Sequence, residues 1–343
     1  RCRGICHSNS ALSARSGEDS GTTVQVCKAA PCGEKGEGNT GAMAVKNMAA
    51  SVLTRLKNQA KEERIPFQLV LQLFAQEEFL RKLSQSEYAN HFVLKGGMFI
   101  YTLTEFQSRP TNDIDFLLRD LHGSMENIEQ TMKNICAIGT GNDFIQLEVI
   151  RTEKITLEKK YPGVKTTLLG KIGKVRMPFS IDVGIDDVIV PAAVERAIST
   201  RLPDFEAPKL YTYSLESTIA EKFDAILLRM AGTSRMKDFY DIYYLSEMVD
   251  YEGNILAEAL QSTLKHRGRA ISEDVFAQIR LFTENAALLT QWKTFAPAKE
   301  VDLSFEAAIN RLEQFLEPVY RCILLKSDFE DHWSCKSRQW QRT

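Results

Sequence analysis

The chain has 343 residues and a formal net charge of -2, with 43 Lys and Arg residues nearly balanced by 45 Asp and Glu residues. The length allows a full hydrophobic core and two domains, and the charge excludes a global basic signature for nucleic-acid binding. No apolar run reaches the roughly 18 residues that a membrane-spanning helix needs, so we expect no membrane span.

The first 43 residues are expected to be a disordered leader, with Met43 and Met48 as candidate starts of the native chain. Four cysteines fall in this segment: Cys2, Cys6, Cys27 and Cys32. Their spacing alone suggests a zinc or disulfide framework, but the segment has no apolar periodicity and no signal-peptide core. The other cysteines, Cys136, Cys322 and Cys335, lie far apart, which is typical of a reducing cytoplasm.

Residues 44–200 are predicted to form a helical lead-in followed by a sheet domain. Apolar periodicity predicts helices over 46–63, 67–83, 98–106 and 125–138. Strands are predicted over 92–94, 113–118, 144–150, 164–169 and 175–185, with Pro162-Gly163 as a turn. Pro178 indicates an edge or a bulge in the first half of the last strand.

Residues 201–320 are predicted to form a helical domain, because the pattern after Tyr213 is helical throughout. Helices are expected over 218–230, 235–249, 255–266, 274–283 and 305–316. Ser214 and Ser217 are candidate N-caps, and Pro318 is expected to stop the last helix. Residues 321–343 are expected to be an irregular tail.

Asp113 and Asp115 are the first candidate metal ligands. If Asp113-Ile114-Asp115-Phe116 is a strand, both carboxylates point to one face while the apolar residues enter the core. Two adjacent carboxylates repel each other unless a divalent cation neutralises them, and such hard oxygen ligands suit Mg²⁺. Taken alone, an Asp-x-Asp motif is more often a solvated strand edge than a metal site.

A candidate phosphate cradle precedes this strand. Gly96 and Gly97 follow Lys95 at the start of a predicted helix, where backbone N–H groups can approach an anion closely. Arg109 and Thr111 lie just before the acid pair, where a guanidinium can reach phosphate oxygens. An isolated Gly-Gly is usually a turn, and Arg109 alone is a solvated loop residue. The cradle, the helix and the acid pair in this order favour nucleotidyl transfer.

Asp182 is the candidate for a third carboxylate, because it is flanked by apolar residues in a predicted strand. In two-metal phosphoryl transfer, such an acid completes the ion site and helps to activate the attacking hydroxyl. Asp186 and Asp187 compete for this role, although an exit turn suits them better. Lys222 either extends to solvent or reaches into a cleft to neutralise a triphosphate.

Asp238 and Asp241 share one helix face, and pairing with Arg235 and Lys237 is the usual explanation for such charges. A basic strip also lies in the second half of the sheet domain: Lys154, Lys159, Lys160, Lys165, Lys171, Lys174 and Arg176. The strip is a candidate RNA surface, and a solvated hairpin face explains it equally well.

Several segments together resemble the AbiEii/AbiGii toxin family, whose members are nucleotidyltransferase-like proteins of abortive-infection and type IV toxin–antitoxin systems. The segments are FLRKLSQSEYANHFVLKGGMFIY, RPTNDIDFL, SIDVGIDDVIVP, ESTIAEKFDAIL and SRMKDFYDIYYL. The resemblance runs from about Phe67 to Leu245 and more loosely to Pro318, so neither end of the chain is expected to carry function. It implies an α+β fold: a DNA polymerase β-like nucleotidyltransferase core with a mixed sheet, followed by a helical C-terminal domain.

The resemblance also implies roles for individual residues. Gly96 and Gly97 match the family's phosphate-gripping turn, where many relatives have Gly-Ser, so Lys95 or backbone N–H groups must replace a serine hydroxyl. The remaining matches are the metal ligands Asp113, Asp115 and Asp182 and the further catalytic positions Lys222 and Asp238.

The activity that the resemblance implies is a metal-dependent nucleotidyl transfer from an NTP to an acceptor hydroxyl, with two Mg²⁺ ions, which blocks growth or phage propagation. Similar toxins act on tRNA 3′ ends, so RNA is the expected acceptor, and a nearby gene is expected to encode an antitoxin. Two alternatives stay open: nucleotidylation of a small molecule or protein, and nucleotide binding without chemistry.

Overall fold

The computed structural model of the protein describes residues 40–155, 163–295 and 303–342, with side chains described from residue 47. The expected leader, residues 1–43, lies outside the described residues except for positions 40–43, which begin a helix rather than a disordered segment. Pro162 of the predicted turn is also outside them. Among the described helices, none is long and apolar enough to cross a membrane.

Four helices precede or connect the first strands: α1 (Thr40–Glu62), α2 (Phe67–Ser84), α3 (Gly96–Leu103) and α4 (Met125–Ala137). Helix α2 is buried around nearly its whole circumference, including the charged residues Glu77, Glu78 and Arg81. Arg81 Nε donates to Glu78 Oε2 at 2.9 Å, and Glu77 accepts a hydrogen bond from the backbone N–H of Arg201, so these charges have partners both inside and outside the helix. A helix buried on all sides belongs at the centre of a core.

Seven strands form one mixed sheet in the order β3-β4-β5-β2-β1-β7-β6. They are β1 (Phe92–Lys95), β2 (Asp113–Leu118), β3 (Gln146–Lys154), β4 (Gly163–Ile172), β5 (Val175–Gly184), β6 (Val194–Ala197) and β7 (Lys209–Thr212). The β2–β5 and β1–β7 pairs are parallel, and the other pairs are antiparallel.

The two faces of the sheet differ in polarity. Ile114, Ile181 and Val183 are fully buried on the face against which α2 and α4 pack. The alternating positions, which include Asp113 and Asp182, are half-buried on the other face. The predicted edge at Pro178 is confirmed, because β5 pairs with β2 only from Ser180 onward and its first half has β4 as its paired strand.

The second half of the chain is mainly helical: α5 (Leu215–Arg229), α6 (Met236–Met248), α7 (Gly253–His266), α8 (Val275–Arg280), α9 (Ala286–Phe295) and α10 (Phe305–Leu325). Ser214 caps α5 as predicted, since its Oγ accepts a hydrogen bond from Ser217 N at 3.1 Å. These helices bury their own hydrophobic cluster, distinct from the cluster under the sheet. The α+β class, with a mixed sheet followed by helices, is confirmed.

Two predicted boundaries are wrong. The sheet domain does not end at residue 200, because β7 pairs with β1 and the cluster under the sheet extends to Tyr213. Pro318 does not stop α10, which continues to Leu325 and buries Val319, Tyr320 and Ile323 beyond the proline. The apolar contacts of this last stretch outweigh the roughly 3 kcal/mol that a proline costs inside a helix.

The C-terminal tail is ordered rather than irregular. Strands β9 (His332–Ser334) and β10 (Gln339–Gln341) form a hairpin, and β9 pairs with β8 (Tyr251–Glu252). Trp333 is fully buried, with its ring centroid 4.9 Å from that of Phe315, and its Nε1 donates to Ser246 O at 2.8 Å. The hairpin therefore closes one end of the helical cluster.

Replacing Trp333 by Ala is expected to lower the free energy of unfolding by about 3–5 kcal/mol, because it leaves a large cavity and an unpaired Ser246 carbonyl. Chemical denaturation measures the loss. Gln339→Ala, an exposed position in the same hairpin, is the control and should change stability by less than about 0.5 kcal/mol. A dispensable tail would give equal, small changes for both variants.

Candidate active site

The parallel pairing of β2 with β5 brings three acidic side chains together. Asp115 is the direct partner of Asp182, and Asp113 is the partner of Ser180. Adjacent strands lie about 4.8 Å apart, and residues two apart in a strand point to the same face. Asp113, Asp115 and Asp182 therefore lie side by side on the face opposite α2 and α4. We call them the acid cluster.

The bend after β1 is shaped by Asp115. Gly96 has a φ of +66°, and a Cβ built on it would lie 2.2 Å from Asp115 Oδ2. A side chain at this position is therefore excluded twice, by its backbone conformation and by the carboxylate. Because Gly96 begins α3 and the preceding Lys95 makes no side-chain cap, the N–H groups of the first helical turn face the acid cluster unblocked by a capping side chain.

Gly97 lies against the loop that leads into β2. A Cβ at Gly97 would lie 3.1 Å from both Cβ and Oγ1 of Thr111 and 3.5 Å from Arg109 Nη1. The hydroxyl of Thr111 thus stands close to the position that a serine side chain would take at residue 97. Arg109 and Thr111, both predicted phosphate ligands, are placed at the N-terminus of α3 together with the two glycines.

The acid cluster is partly neutralised from within the sheet. Lys165 on β4 is the direct partner of Asp182, and its Nζ lies 3.2 Å from Asp182 Oδ1 and 3.9 Å from Asp113 Oδ1. The hydroxyl of Ser180 donates a hydrogen bond to Asp113 Oδ1. Desolvation lowers the pKa of Lys165, but the carboxylates of Asp182 and Asp113 outweigh it and leave this pKa above its ordinary value.

Asp182 has an altered proton affinity. Desolvation raises its pKa most, Lys165 lowers it, and Asp115 and Asp113 raise it further, so the pKa lies above its ordinary value. Its Oδ1 is buried and has no aligned hydrogen-bond donor, although the Lys165 ammonium is close. An oxygen of this kind is suited to accept a cation.

The donor chemistry of the acid cluster fits Mg²⁺, since three carboxylates from two neighbouring strands offer hard oxygen ligands on one open face. In the described part of the chain, however, no three His, Cys, Asp or Glu side chains are already arranged around a common ion position. The Lys165 ammonium lies between two of the three carboxylates. Convergence of the cluster on an ion therefore requires Lys165 to withdraw.

A buried salt-bridge network connects the helical domain to the glycine bend. Asp241 on α6 accepts two hydrogen bonds from Arg109, at 2.8 and 2.7 Å, and pairs with Lys222 Nζ at 2.6 Å. Asp238 pairs with the same ammonium at 3.3 Å and with Arg235 Nε at 2.6 Å. Lys222 and Asp238, predicted as catalytic, are thus connected to Arg109 through Asp241 and do not contact the acid cluster.

Lys237 is a further cation beside the acid cluster. It lies in the first turn of α6, and part of its side chain is exposed. Desolvation lowers the pKa of Lys237 most and Arg235 lowers it further, while the carboxylate of Asp115 acts in the opposite direction. The carboxylate of Asp115 thus contributes to the electrostatic environment of Lys237.

Lys95 is directed into a second buried network. Its Nζ lies 2.6 Å from Glu221 Oε1 and 3.5 Å from Asp187 Oδ2, and Arg267 Nη2 contacts the same two oxygens at 2.8 and 2.6 Å. The Lys95 ammonium is thus already neutralised by carboxylates, which leaves the backbone N–H groups and Arg109 at the predicted phosphate position. Asp187 is engaged in this network by Lys95 and Arg267. It therefore does not compete with Asp182 for the position of the third carboxylate.

The other competing acid, Asp186, lies 3.5 Å from His266 with its side chain 62% exposed, on the rim rather than in the acid cluster.

The described members of the predicted basic strip differ in their pairing and exposure. Lys171 pairs with Glu148 at 2.6 Å, and its cross-strand partner Arg176 is exposed, as is Lys174 in the turn between the strands. Two of its members, Lys159 and Lys160, lie outside the described residues.

Three residues at this site were assigned no role there by the sequence analysis: Lys165, Asp241 and Lys237. Asp241 is flanked by apolar residues on α6, and a buried acid needs cationic partners, so its sequence context carried a usable signal. Lys165 carried none, because its contact with Asp182 depends on the β4–β5 register, which the sequence does not specify.

The sequence and the fold were compared with those of known proteins. The model of one family, described as the nucleotidyl transferase AbiEii toxin of the type IV toxin–antitoxin system, matches residues 78–313. No curated protein matches the sequence. A crystal structure of a candidate nucleotidyltransferase from Helicobacter pylori is similar at 11% identity, covering 77% of this chain and 100% of that chain, with a TM-score of 0.43. The JHP933 protein from Helicobacter pylori is similar at 12% identity, covering 76% of this chain and 94% of that chain, with a TM-score of 0.42.

The two glycines of the bend should differ in tolerance. Gly96→Ala is expected to lower the free energy of unfolding by about 2 kcal/mol or more, since it strains the backbone and displaces the Asp115 carboxylate. Gly97→Ala meets only the Thr111 side chain at 3.1 Å and should cost about 1 kcal/mol or less. Denaturation of the two variants in parallel checks this order. Equal losses would show that Asp115 does not occupy the space over Gly96.

Proposed function

The chain belongs to the AbiEii nucleotidyl transferase toxin family of type IV toxin–antitoxin systems, and on that premise we propose that it transfers a nucleotidyl group from an NTP to an acceptor hydroxyl. The observation that supports this most is the register of β2 and β5, which aligns Asp115 with Asp182 beside the bend at Gly96. Phosphoryl transfer needs divalent cations held beside the phosphates, and this arrangement places carboxylates that can bind such cations next to a turn that can bind phosphate.

The triphosphate is held at the N-terminus of α3 in this proposal. The N–H groups of the first turn favour an anion, and the positive end of the helix dipole adds to them. Asp241 grips Arg109 through Nε and Nη2, so Nη1 remains directed toward Gly97. Thr111 presents its hydroxyl at the same place, where it substitutes for the serine that many relatives have.

The acid cluster would hold two Mg²⁺ ions in this proposal. When bound, these ions would neutralise the phosphate oxygens and lower the pKa of the acceptor hydroxyl. Asp113 and Asp115 would hold both ions, and Asp182 would complete the site on the neighbouring strand. Asp182, which lies beside Asp115 on the neighbouring strand, would receive the proton of the acceptor hydroxyl. The hydroxyl oxygen then attacks the α-phosphorus, and pyrophosphate leaves.

Lys222 and Asp238 position Arg109, the residue that binds the phosphate, and do not contact the substrate themselves. Lys222 is buried between Asp238 and Asp241, and Asp241 in turn orients Arg109. A guanidinium held by two hydrogen bonds has little freedom to lose on binding, which favours precise placement of the phosphate.

The acceptor is RNA, and tRNA is the first candidate. The face that carries the acid cluster continues across β5 and β4 to Lys171, Lys174 and Arg176. Lys165 and Lys171 are six residues apart, which places the two ends of the strip roughly 20 Å apart along the strand. This length suits a nucleic-acid backbone that runs toward the acids. Family membership also supports an antitoxin as a partner, and transfer to tRNA would stop translation and block growth.

Replacing Asp113 or Asp115 by Asn should lower nucleotide incorporation by at least about a hundredfold, since the change removes metal-binding charge at constant shape. Incorporation from radiolabelled NTP into total RNA measures this, and EDTA should abolish it in the unaltered protein. Asp120→Asn is the control, because this acid follows β2 with its side chain 81% exposed. Full activity in Asp113→Asn and Asp115→Asn would reject the metal assignment.

The double charge reversal Lys174→Glu/Arg176→Glu should weaken tRNA binding and reduce the salt dependence of its logarithmic affinity by about two units of slope. Filter binding over a series of salt concentrations gives this slope. Lys57→Glu/Lys61→Glu on α1 is a matched reversal of two exposed lysines and should leave the slope unchanged. If both pairs behave alike, the strip does not bind RNA.

The acceptor itself is identified by incubating the protein with labelled NTP and a cell lysate, then separating RNA, protein and small molecules. Label in the RNA fraction supports the proposal. Label in protein or in small molecules would replace RNA as the acceptor. Nucleotide binding without release of pyrophosphate in any fraction would mean that the protein binds nucleotides without chemistry.

A further inference from the structure

Lys165 occupies the centre of the acid cluster. Its ammonium lies 3.2 Å from Asp182 Oδ1 and 3.9 Å from Asp113 Oδ1, so it contacts carboxylates from two different strands at once. Among the described side chains, Lys165 forms salt bridges with two members of the acid cluster. Its ammonium therefore compensates the negative charges of Asp113 and Asp182 directly.

The Lys165 contact is held less firmly than the other lysine contacts near the site. Its side chain is 33% exposed, and the nearby Asp182 Oδ1 receives no aligned hydrogen bond. Lys222, in contrast, is 9% exposed and lies 2.6 Å from Asp241. An exposed ammonium on a flexible four-carbon stem can leave its partners at small cost, whereas a buried one cannot.

The strand order places Lys165 on one particular side of the acids. In the order β4-β5-β2-β1, the acid cluster lies on β5 and β2, the glycine bend follows β1, and Lys165 lies on β4. Lys165 thus approaches the acids from the side opposite the bend. It can withdraw toward β3, where Glu153 is its cross-strand partner, without disturbing Gly96 or Gly97.

We propose that Lys165 is the internal counter-cation of the acid cluster, which holds Asp113 and Asp182 together before metal binds and is displaced when metal binds. The proposal rests on the proposed function, because it takes the acid cluster as the metal site. An ammonium and a divalent cation compete for the same carboxylate oxygens, since like charges within about 4 Å repel strongly. Lys165 is thus a positioning residue that competes with the metal.

The test measures metal affinity with Mn²⁺ as the probe, by electron paramagnetic resonance of free Mn²⁺ in the absence of NTP. Lys165→Met removes the competing charge while keeping most of the stem, so the Kd for Mn²⁺ should fall about five- to tenfold. Lys165→Arg keeps the charge and should bind Mn²⁺ no more tightly than the unaltered protein. An unchanged or higher Kd in Lys165→Met would overturn the proposal.

Lys171→Met is the matched control for the loss of one positive charge. Lys171 lies on the same strand and face but pairs with Glu148 rather than with the acid cluster. Its Kd for Mn²⁺ should stay within about twofold of the unaltered protein, because an exposed charge at this distance is largely screened by salt. A gain equal to that of Lys165→Met would show a general charge effect and reject a specific competition.

Thermal unfolding provides a readout that is independent of metal affinity. In EDTA, Lys165→Met should have a lower Tm than the unaltered protein, since Asp113 and Asp182 then repel without compensation. Saturating Mn²⁺ should remove this difference, because the metal replaces the ammonium in both proteins. A Tm difference that persists in Mn²⁺ would mean that Lys165 is a permanent structural ion-pair partner.

Asp113→Asn separates this proposal from the proposed function. If it loses Mn²⁺ binding while Lys165→Met binds as the unaltered protein does, the metal site stands and the role of Lys165 is rejected. If Asp113→Asn and the unaltered protein bind Mn²⁺ equally, or neither binds it, the metal site itself is rejected, and the role of Lys165 is rejected with it.

Discussion

Repulsion among three carboxylates on one sheet face is the constraint that most of the site accommodates. The parallel β2–β5 pairing fixes Asp115 beside Asp182, and the alternation within β2 adds Asp113 to the same face. Neighbouring groups compensate this charge. Ser180 donates a hydrogen bond to Asp113, and the Lys165 ammonium lies close to Asp113 and Asp182. The N-terminus of α3 lies against Asp115 at Gly96. Each of these contacts would be unnecessary if the face carried neutral residues.

The helical domain contributes to the site by fixing cations rather than by adding acids to the cluster. Asp241 is buried, and it keeps two cations, Lys222 and Arg109, at fixed positions. Removing one partner of such a buried pair typically costs about 3–5 kcal/mol, so the network resists rearrangement. The network therefore joins α5 and α6 to the loop before β2, and the position of Arg109 depends on the packing of the helices. Lys222 and Asp238 are thus linked to Arg109 through Asp241, although neither contacts the acid cluster.

Much of the sheet and its acid pair could be predicted from the sequence because those signals are local. The alternation of acidic and apolar residues in β2 gave the face of Asp113 and Asp115, and the serine before α5 gave its N-cap. The contacts of Lys95 and Lys165 could not be predicted, because each depends on a partner that is distant in sequence. The prediction of an irregular tail was wrong for the same reason. Strand β9 pairs with Tyr251 and Glu252, which are distant in sequence, and a strand of three residues has no recognisable hydrophobic pattern.

The two sides of the acid cluster differ in rigidity. In the proposed reaction the nucleotide binds first, on the rigid side, and the acceptor approaches later, on the movable side. On the side of β1, Gly96 and Gly97 are packed against Asp115 and Thr111, and Arg109 is held by Asp241, so the groups proposed to bind phosphate are fixed before any ligand binds. On the side of β4, the described cation that contacts the acid cluster is half-buried Lys165, whose contacts lack an aligned hydrogen bond at Asp182 Oδ1. A fixed side lowers the entropy that the nucleotide must lose, whereas a movable side leaves room for an acceptor to approach once the cations are in place. A nucleotidyltransferase that takes a small, constant donor and a large acceptor needs this asymmetry, because rigidity on both sides would exclude the acceptor and mobility on both would leave the α-phosphate unpositioned.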